Sequence, residues 1–368
     1  MELLNATGMP AGYTLGLDPD GRERVVVVTK GTFEIPAPNQ PTRLSDQQVP
    51  LVMADEFTGE PGLSAVLYES EFAPFKPRCD VLVNGSAHGP RGRPAYQVTV
   101  GLRVGPIAKL FDVVGDRVWE EGPVGLRPSP LKAFTSVPIT YDRAWGGVDA
   151  DPENPERVDA FMPNPVGVGY YPLSGAVIAG QPLPNTAELG TFIDTYKGSY
   201  RPLSLGVVGR QFAARYPLAG TYDQNWIDNV FPFLPADFDP LYFQSAPADQ
   251  QMDYPEGGER VELVGLTPEG RTVFQLPTVQ VPVEFTDREF QREQATAVID
   301  TIIIEPDLGR FVVLWRTSRP LKENIFELSQ CVVGRMPRGW HRARTLGKDY
   351  YAGLGALVAA RAEEEREE

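Results

Sequence analysis

The stretch AYQVTVGLRV, residues 95–104, puts Val98, Val100, Leu102 and Val104 on one side of an extended chain. That period of two marks a half-buried strand. Reading outward, Asp80 to Asn84 is a second strand and Gly85 to Arg93 a loop of small residues. Downstream, Lys109 to Trp119 reads as a hairpin turning at Gly115-Asp116. The texture repeats along the chain. Arg22 to Ile35 follows the Asp18-Pro-Asp-Gly21 turn and holds the run Val25 to Val28. Glu259 to Leu266 and Arg271 to Leu276 flank a Thr267-Pro-Glu-Gly270 turn. Ala297 to Glu305 and Arg310 to Arg316 flank Pro306 to Gly309, and Glu327 to Val333 is a further strand.

Short strands separated by Gly/Pro turns predict a mainly β protein of packed antiparallel sheets in sandwich-like halves. Irregular Pro/Gly-rich connections join them, and one C-terminal helix is expected from Lys348 to about Glu364. The expected organisation is an N-terminal β half (1–145), an irregular linker and aromatic brace (146–250), a C-terminal β half (251–346), and a helix with an acidic tail (347–368). Within the second region, Trp145 to Gly180 reads as a linker or surface excursion. DPDGRERVVVVTKGTFEI and EPDLGRFVVLWRTSRPL look alike, a hint of duplication that hairpins produce by themselves.

The chain has 368 residues and a net charge of −15, which argues against nucleic acid, because phosphate binding needs a basic surface. Cys79 and Cys331 have no metal spacing, and two reduced core thiols are expected rather than one long-range disulfide. No leader pattern and no membrane-spanning apolar run is visible, so the expected location is the cytoplasm.

Two histidines, His88 and His341, are too few for a histidine metal cluster. No serine sits in a nucleophile elbow. A Cys79–His88 dyad is set aside because Cys79 opens an apolar strand and buried thiols are inert. The Asp-x-Asp-Gly at Asp18 lacks the later ligands of a calcium loop. Asp223, Asp237 and Asp239 are the best enzymatic hint, a carboxylate set for a carbohydrate-active hydrolase. Helix capping explains them more simply. No catalysis, metal or cofactor is expected.

The segment from Tyr216 to Gln250, YPLAGTYDQNWIDNVFPFLPADFDPLYFQSAPADQ, is dense in aromatics and prolines. Thr221 and Gln224 have capping-box spacing, predicting a helix over Tyr222 to Asn229 that Pro232 stops. Tyr222 and Trp226 then share a face. Asp239 before Pro240 reads as a cap for a turn through Tyr242 and Phe243. Apolar residues are usually core, so the expectation is an internal brace clamped between larger elements, ahead of an aromatic binding groove.

An ordered set of motifs runs through the chain: ADEFTGEP (54–61), FKPRCDVLVNGSAHGP (75–90), GDRVW (115–119), AWGG (144–147), NPVGVGY (164–170), PLPN (182–185), AGTYDQNW (219–226), LPADFDPLYFQSAPADQ (234–250) and Gly257-Gly258-x-x-Val261-Glu262-Leu263. From about Asn5 to Arg316 the chain resembles the domain-of-unknown-function family 2169 (DUF2169). That family occurs with bacterial type VI secretion genes. The resemblance implies a non-catalytic adaptor or chaperone that binds a secreted effector and helps load it onto the VgrG spike protein. A structural part of a secretion or phage-tail-like machine is the alternative of that class. Cys79 departs from the small turn residue expected there, and the chain ends in a helix and acidic tail where some members carry pentapeptide repeats.

Arg335 to Lys348, RMPRGWHRARTLGK, holds five basic residues and no acidic one. Arg335, Arg338, Trp340 and Arg342 are candidate partner-docking residues, since Arg and Trp are enriched at hot spots. The preferred alternative is an internal latch to the tail Glu363 to Glu368, held at high effective concentration by its own chain.

Overall fold

The computed structural model describes every residue except 19, 124, 175, 176, 352, 356, 359, 360 and 362–368. Twelve strands carry the architecture. They are β1 Glu2–Asn5, β2 Ala11–Leu17, β3 Glu23–Glu34, β4 Cys79–Val83, β5 Gln97–Val104, β6 Ile107–Val114, β7 Arg260–Val264, β8 Arg271–Gln275, β9 Val281–Asp287, β10 Arg292–Glu305, β11 Arg310–Pro320 and β12 Leu328–Val333. The protein is mainly β, as the strand pattern predicts.

A ten-stranded sheet runs in the order β1-β12-β9-β10-β11-β3-β2, with β4 beside β10. A five-stranded sheet runs Thr186–Ala187, β6, β5, β7, β8. Most pairs are antiparallel, but β1 runs parallel to β12 and β4 parallel to β10. Both sheets mix strands from 1–145 and 251–346, so the expected separate β halves are corrected to an interleaved pair of sheets. The two look-alike segments are neighbours in space: β3 pairs with β11 from Glu34↔Arg310 to Arg24↔Pro320.

The main core lies between the sheets. Val98, Val100, Leu102 and Val104 of β5 meet Val25, Val27, Val81, Ile302, Phe311 and Trp315 of the large sheet. Val26, Val28, Leu82, Ile303 and Leu314 point the other way, into a second cluster with Val207, Ala246, Leu51 and Phe72. Around β3 the large sheet is therefore covered on both faces, which is why that strand carries four consecutive valines rather than an alternating pattern.

Two expectations are corrected. β6 pairs back onto β5, with Val113 opposite Val98. The hairpin therefore turns at Gly105 (φ +52°), not at Gly115-Asp116. The region after Trp145 is no mere excursion. Trp119, Trp145, Ile178, Leu183 and Ile193 form an aromatic core of their own with Tyr170, Tyr196 and Tyr200.

Two helices are delimited among the described residues, α1 Gln224–Asn229 and α2 Arg338–Thr345. The C-terminal helix thus starts ten residues before the expected Lys348. Pro337 sets its entry, and Gly347 (φ +60°) ends it. Lys348 N donates to the Ala343 carbonyl and Gly347 N to the Arg344 carbonyl, the paired bonds of a Schellman stop. Helical backbone resumes at Leu354 and Gly355, while the acidic tail lies outside the described residues. No described helix is long and apolar enough to cross a membrane. Cys79 and Cys331 are both free and buried.

Candidate docking surface

The aromatic segment is built by its own carboxylates. Asp223 caps α1 by accepting from Trp226 N at 2.8 Å. The predicted cap Thr221 is corrected: its amide and hydroxyl both donate to Asp237, at 2.9 and 2.8 Å. Aspartate is the stronger N-cap, and it lies two residues closer to the helix. The two bonds from Thr221 hold the Asp237 carboxyl below its ordinary range. Asp239 accepts from Leu241 N at 2.9 Å and opens the 3-10 turn Pro240–Phe243, as its position before Pro240 predicts. All three carboxylates of the hydrolase alternative are thus engaged with backbone of their own segment.

The rings pack on one another. Tyr222 and Trp226 share a face, with centroids 4.7 Å apart, and Phe231 stands edge-on to Trp226 at 5.5 Å. Trp226 Nε1 donates to the Phe233 carbonyl at 2.9 Å, closing the loop after α1. At the base, Phe243 meets Phe75 and Phe238.

The base is anchored by buried charge. Lys76 pairs with Asp80 at 2.7 Å, and Asp80 accepts from Gln244 Nε2 and Ser245 N at 2.7 and 2.8 Å. Lys76 also donates to Thr301 at 3.0 Å, next to the bulge at Asp300 where β10 changes neighbour from β9 to β4. Asp300 in turn pairs with Arg316, which donates to the Glu71 and Ala73 carbonyls. Arg215 donates to Glu69 and to the Tyr242 and Val208 carbonyls. Breaking one partner of such a buried pair costs about 3–5 kcal/mol. Beyond the base, Asp249 bridges Lys109 of β6 and Arg201. Periodicity does not single out these charges; the available signal is a lysine and an aspartate four residues apart at the start of an apolar strand.

Above the base the segment stands in solvent. Tyr216 is 67% exposed, Phe231 66% and Ile227 55%, with Tyr222, Phe233 and Leu241 also exposed. Trp226, Tyr242 and Phe243 are half-buried. The expected internal brace is therefore corrected to an exposed aromatic flap on a fixed root. Around β3, β4 and β11 both faces of the large sheet are already covered by other segments. Contiguous exposed apolar surface of this kind marks interaction sites. Ile227 and Leu241 were not singled out from sequence, because isolated aliphatics among aromatics carry no positional signal.

The basic residues lie on and before α2. Arg335, Arg338 and Arg342 are exposed and Trp340 is half-buried. Arg344 stacks over the Trp340 ring at 5.1 Å, and His341 lies 5.0 Å from it. The proposed latch partner, Glu363 to Glu368, falls outside the described residues. Other motifs are structural. Asn164 Nδ2 donates to the Tyr141 and Trp145 carbonyls, tying NPVGVGY to AWGG. Ser86 and His88 both reach the Asp307 carboxylate, at 2.7 Å each.

Residues 20–316 match the family described as "Uncharacterized protein conserved in bacteria (DUF2169)". No curated protein and no solved structure gives a match.

Proposed function

This chain belongs to the DUF2169 family, and from that premise we propose that it is a non-catalytic adaptor that binds a secreted effector and helps load it onto a VgrG-type spike. The observation that carries the reading is the exposed flap. Large aromatics are held by local caps above a rigid ionic root, so the surface is preorganised and loses little conformational entropy on docking. The secretion context comes from the resemblance stated above, since that family occurs with bacterial type VI secretion genes. The basic face around Arg338 and Arg342 is a second exposed surface, suited to an acidic partner.

The test is recovery of partners from bacteria that are actively secreting. Tagged full-length protein should retain a toxin and a spike component. A variant with Tyr216→Ser and Ile227→Ser should keep its fold and lose one of them. Recovery of neither partner by the parent chain would defeat the adaptor reading.

A further inference from the structure

Resting on that docking role, we infer that the partner segment seated on the flap is cationic as well as apolar, with Lys or Arg flanking large hydrophobic side chains. Residues 216–243 contain four aspartates, Asp223, Asp228, Asp237 and Asp239, and no Lys, Arg or His. Their hydrogen bonds run to Trp226 N, the Gln224 side chain, Thr221 and Leu241 N. Those bonds orient the carboxylates without neutralising them. None of the four is in an ion pair among the described residues.

The contrast with neighbouring acids is sharp. Asp249 has Lys109 and Arg201, Glu69 has Arg210 and Arg215, and Asp80 has Lys76. Four carboxylates without an ion pair thus lie on one short segment, beside its exposed rings. A docked apolar segment would strip water from those carboxylates, and an unpaired desolvated charge is costly. Cations at the rim remove that penalty and reject acidic competitors. The exposed faces of Tyr216, Tyr222 and Phe231 also accept Arg or Lys by cation–π contact. The low Asp237 carboxyl keeps that charge in mildly acidic medium.

The chain's own Arg335–Lys348 segment has the same chemistry, so a second copy is the competing occupant. The experiment uses the full chain with two fluorescent probes, an amphipathic Leu/Lys peptide and its Leu/Glu twin. The Leu/Lys peptide should bind and weaken steeply with salt, while the Leu/Glu twin should not bind. Asp228→Asn, which touches no cap, should weaken the Leu/Lys peptide about threefold, and Tyr216→Ser with Ile227→Ser about tenfold or more. Circular dichroism should be unchanged in both variants. Equal binding of the two peptides, or undiminished binding to the Tyr216/Ile227 variant, overturns the inference. So does self-association of the parent that Arg338→Ala with Arg342→Ala abolishes, because the flap then serves a second copy. If secreting cells yield a toxin and a spike component but the peptides show no charge preference, this inference falls and the adaptor role stands. If they yield neither, the adaptor role falls whatever the peptides do.

Discussion

The backbone carbonyl of Asn164 lies directly under Gly146: a Cβ on that glycine would sit 2.0 Å from the oxygen. Gly146 also holds φ +149°, in the region that favours glycine. The contact is with backbone, so no side chain can swing away to relieve it. Gly146→Ala should therefore cost upwards of about 3 kcal/mol, at the severe end for a point change. Urea denaturation checks this. A near-parental midpoint would mean the AWGG loop is free to move, and the motif would need a role other than packing.

Trp226 and Trp145 should respond differently to truncation. Trp145 is fully buried, with Tyr200 at 4.7 Å, and Trp145→Ala should cost about 3–5 kcal/mol. Trp226 is half-buried on the flap, and Trp226→Ala should cost only about 1–2 kcal/mol while partner recovery drops. Thermal melts and pull-down of the two variants separate stability from docking. Equal destabilisation would return the flap to a bracing role.

Strands were legible wherever one face is wet, as in β5, or wherever a short apolar run is flanked by turns, as in β3. Their partners were not. β3 and β11 are almost three hundred residues apart in sequence, and side-chain periodicity records which face is buried, not what covers it. The flap failed for a related reason. Tyr222, Trp226 and Asp239 were found, and so was the Asp239 cap. Whether the rings are covered depends on whether another element has a free face, which composition does not encode. The Schellman stop at Gly347 was readable from the Gly-Lys pair after an Arg-rich helix, but the charge pattern drew the reading to binding instead.

Stability should fall on acidification through Asp249. Burial alone would raise its carboxyl, but Lys109 and then Arg201 outweigh it and hold the group below the ordinary range. A depressed folded value means the unfolded chain binds the proton first. The contribution is therefore full above the unfolded carboxylate value, near about pH 4, and is lost as pH drops through the folded one. Asp249→Asn should lower the urea midpoint at neutral pH and flatten the acid limb. An acid limb of unchanged steepness would assign the loss to other carboxylates.

Phe290 occupies the turn between β9 and β10 with φ +62° and is 80% exposed. A bulky L-residue in the left-handed region costs about 1–2 kcal/mol, and at this exposure little burial offsets it. Asp287 already closes the turn by accepting from Gln291 N at 2.7 Å, so the ring is not needed for the turn itself. Phe290→Gly should therefore raise the urea midpoint, with a net gain of about 1 kcal/mol after the extra chain entropy of glycine is subtracted. A lower midpoint would mean that the ring makes a stabilising contact outweighing the backbone strain. If the variant is more stable yet recovers less partner from secreting cells, the strain is retained for docking, and this hairpin joins the flap as a contact surface.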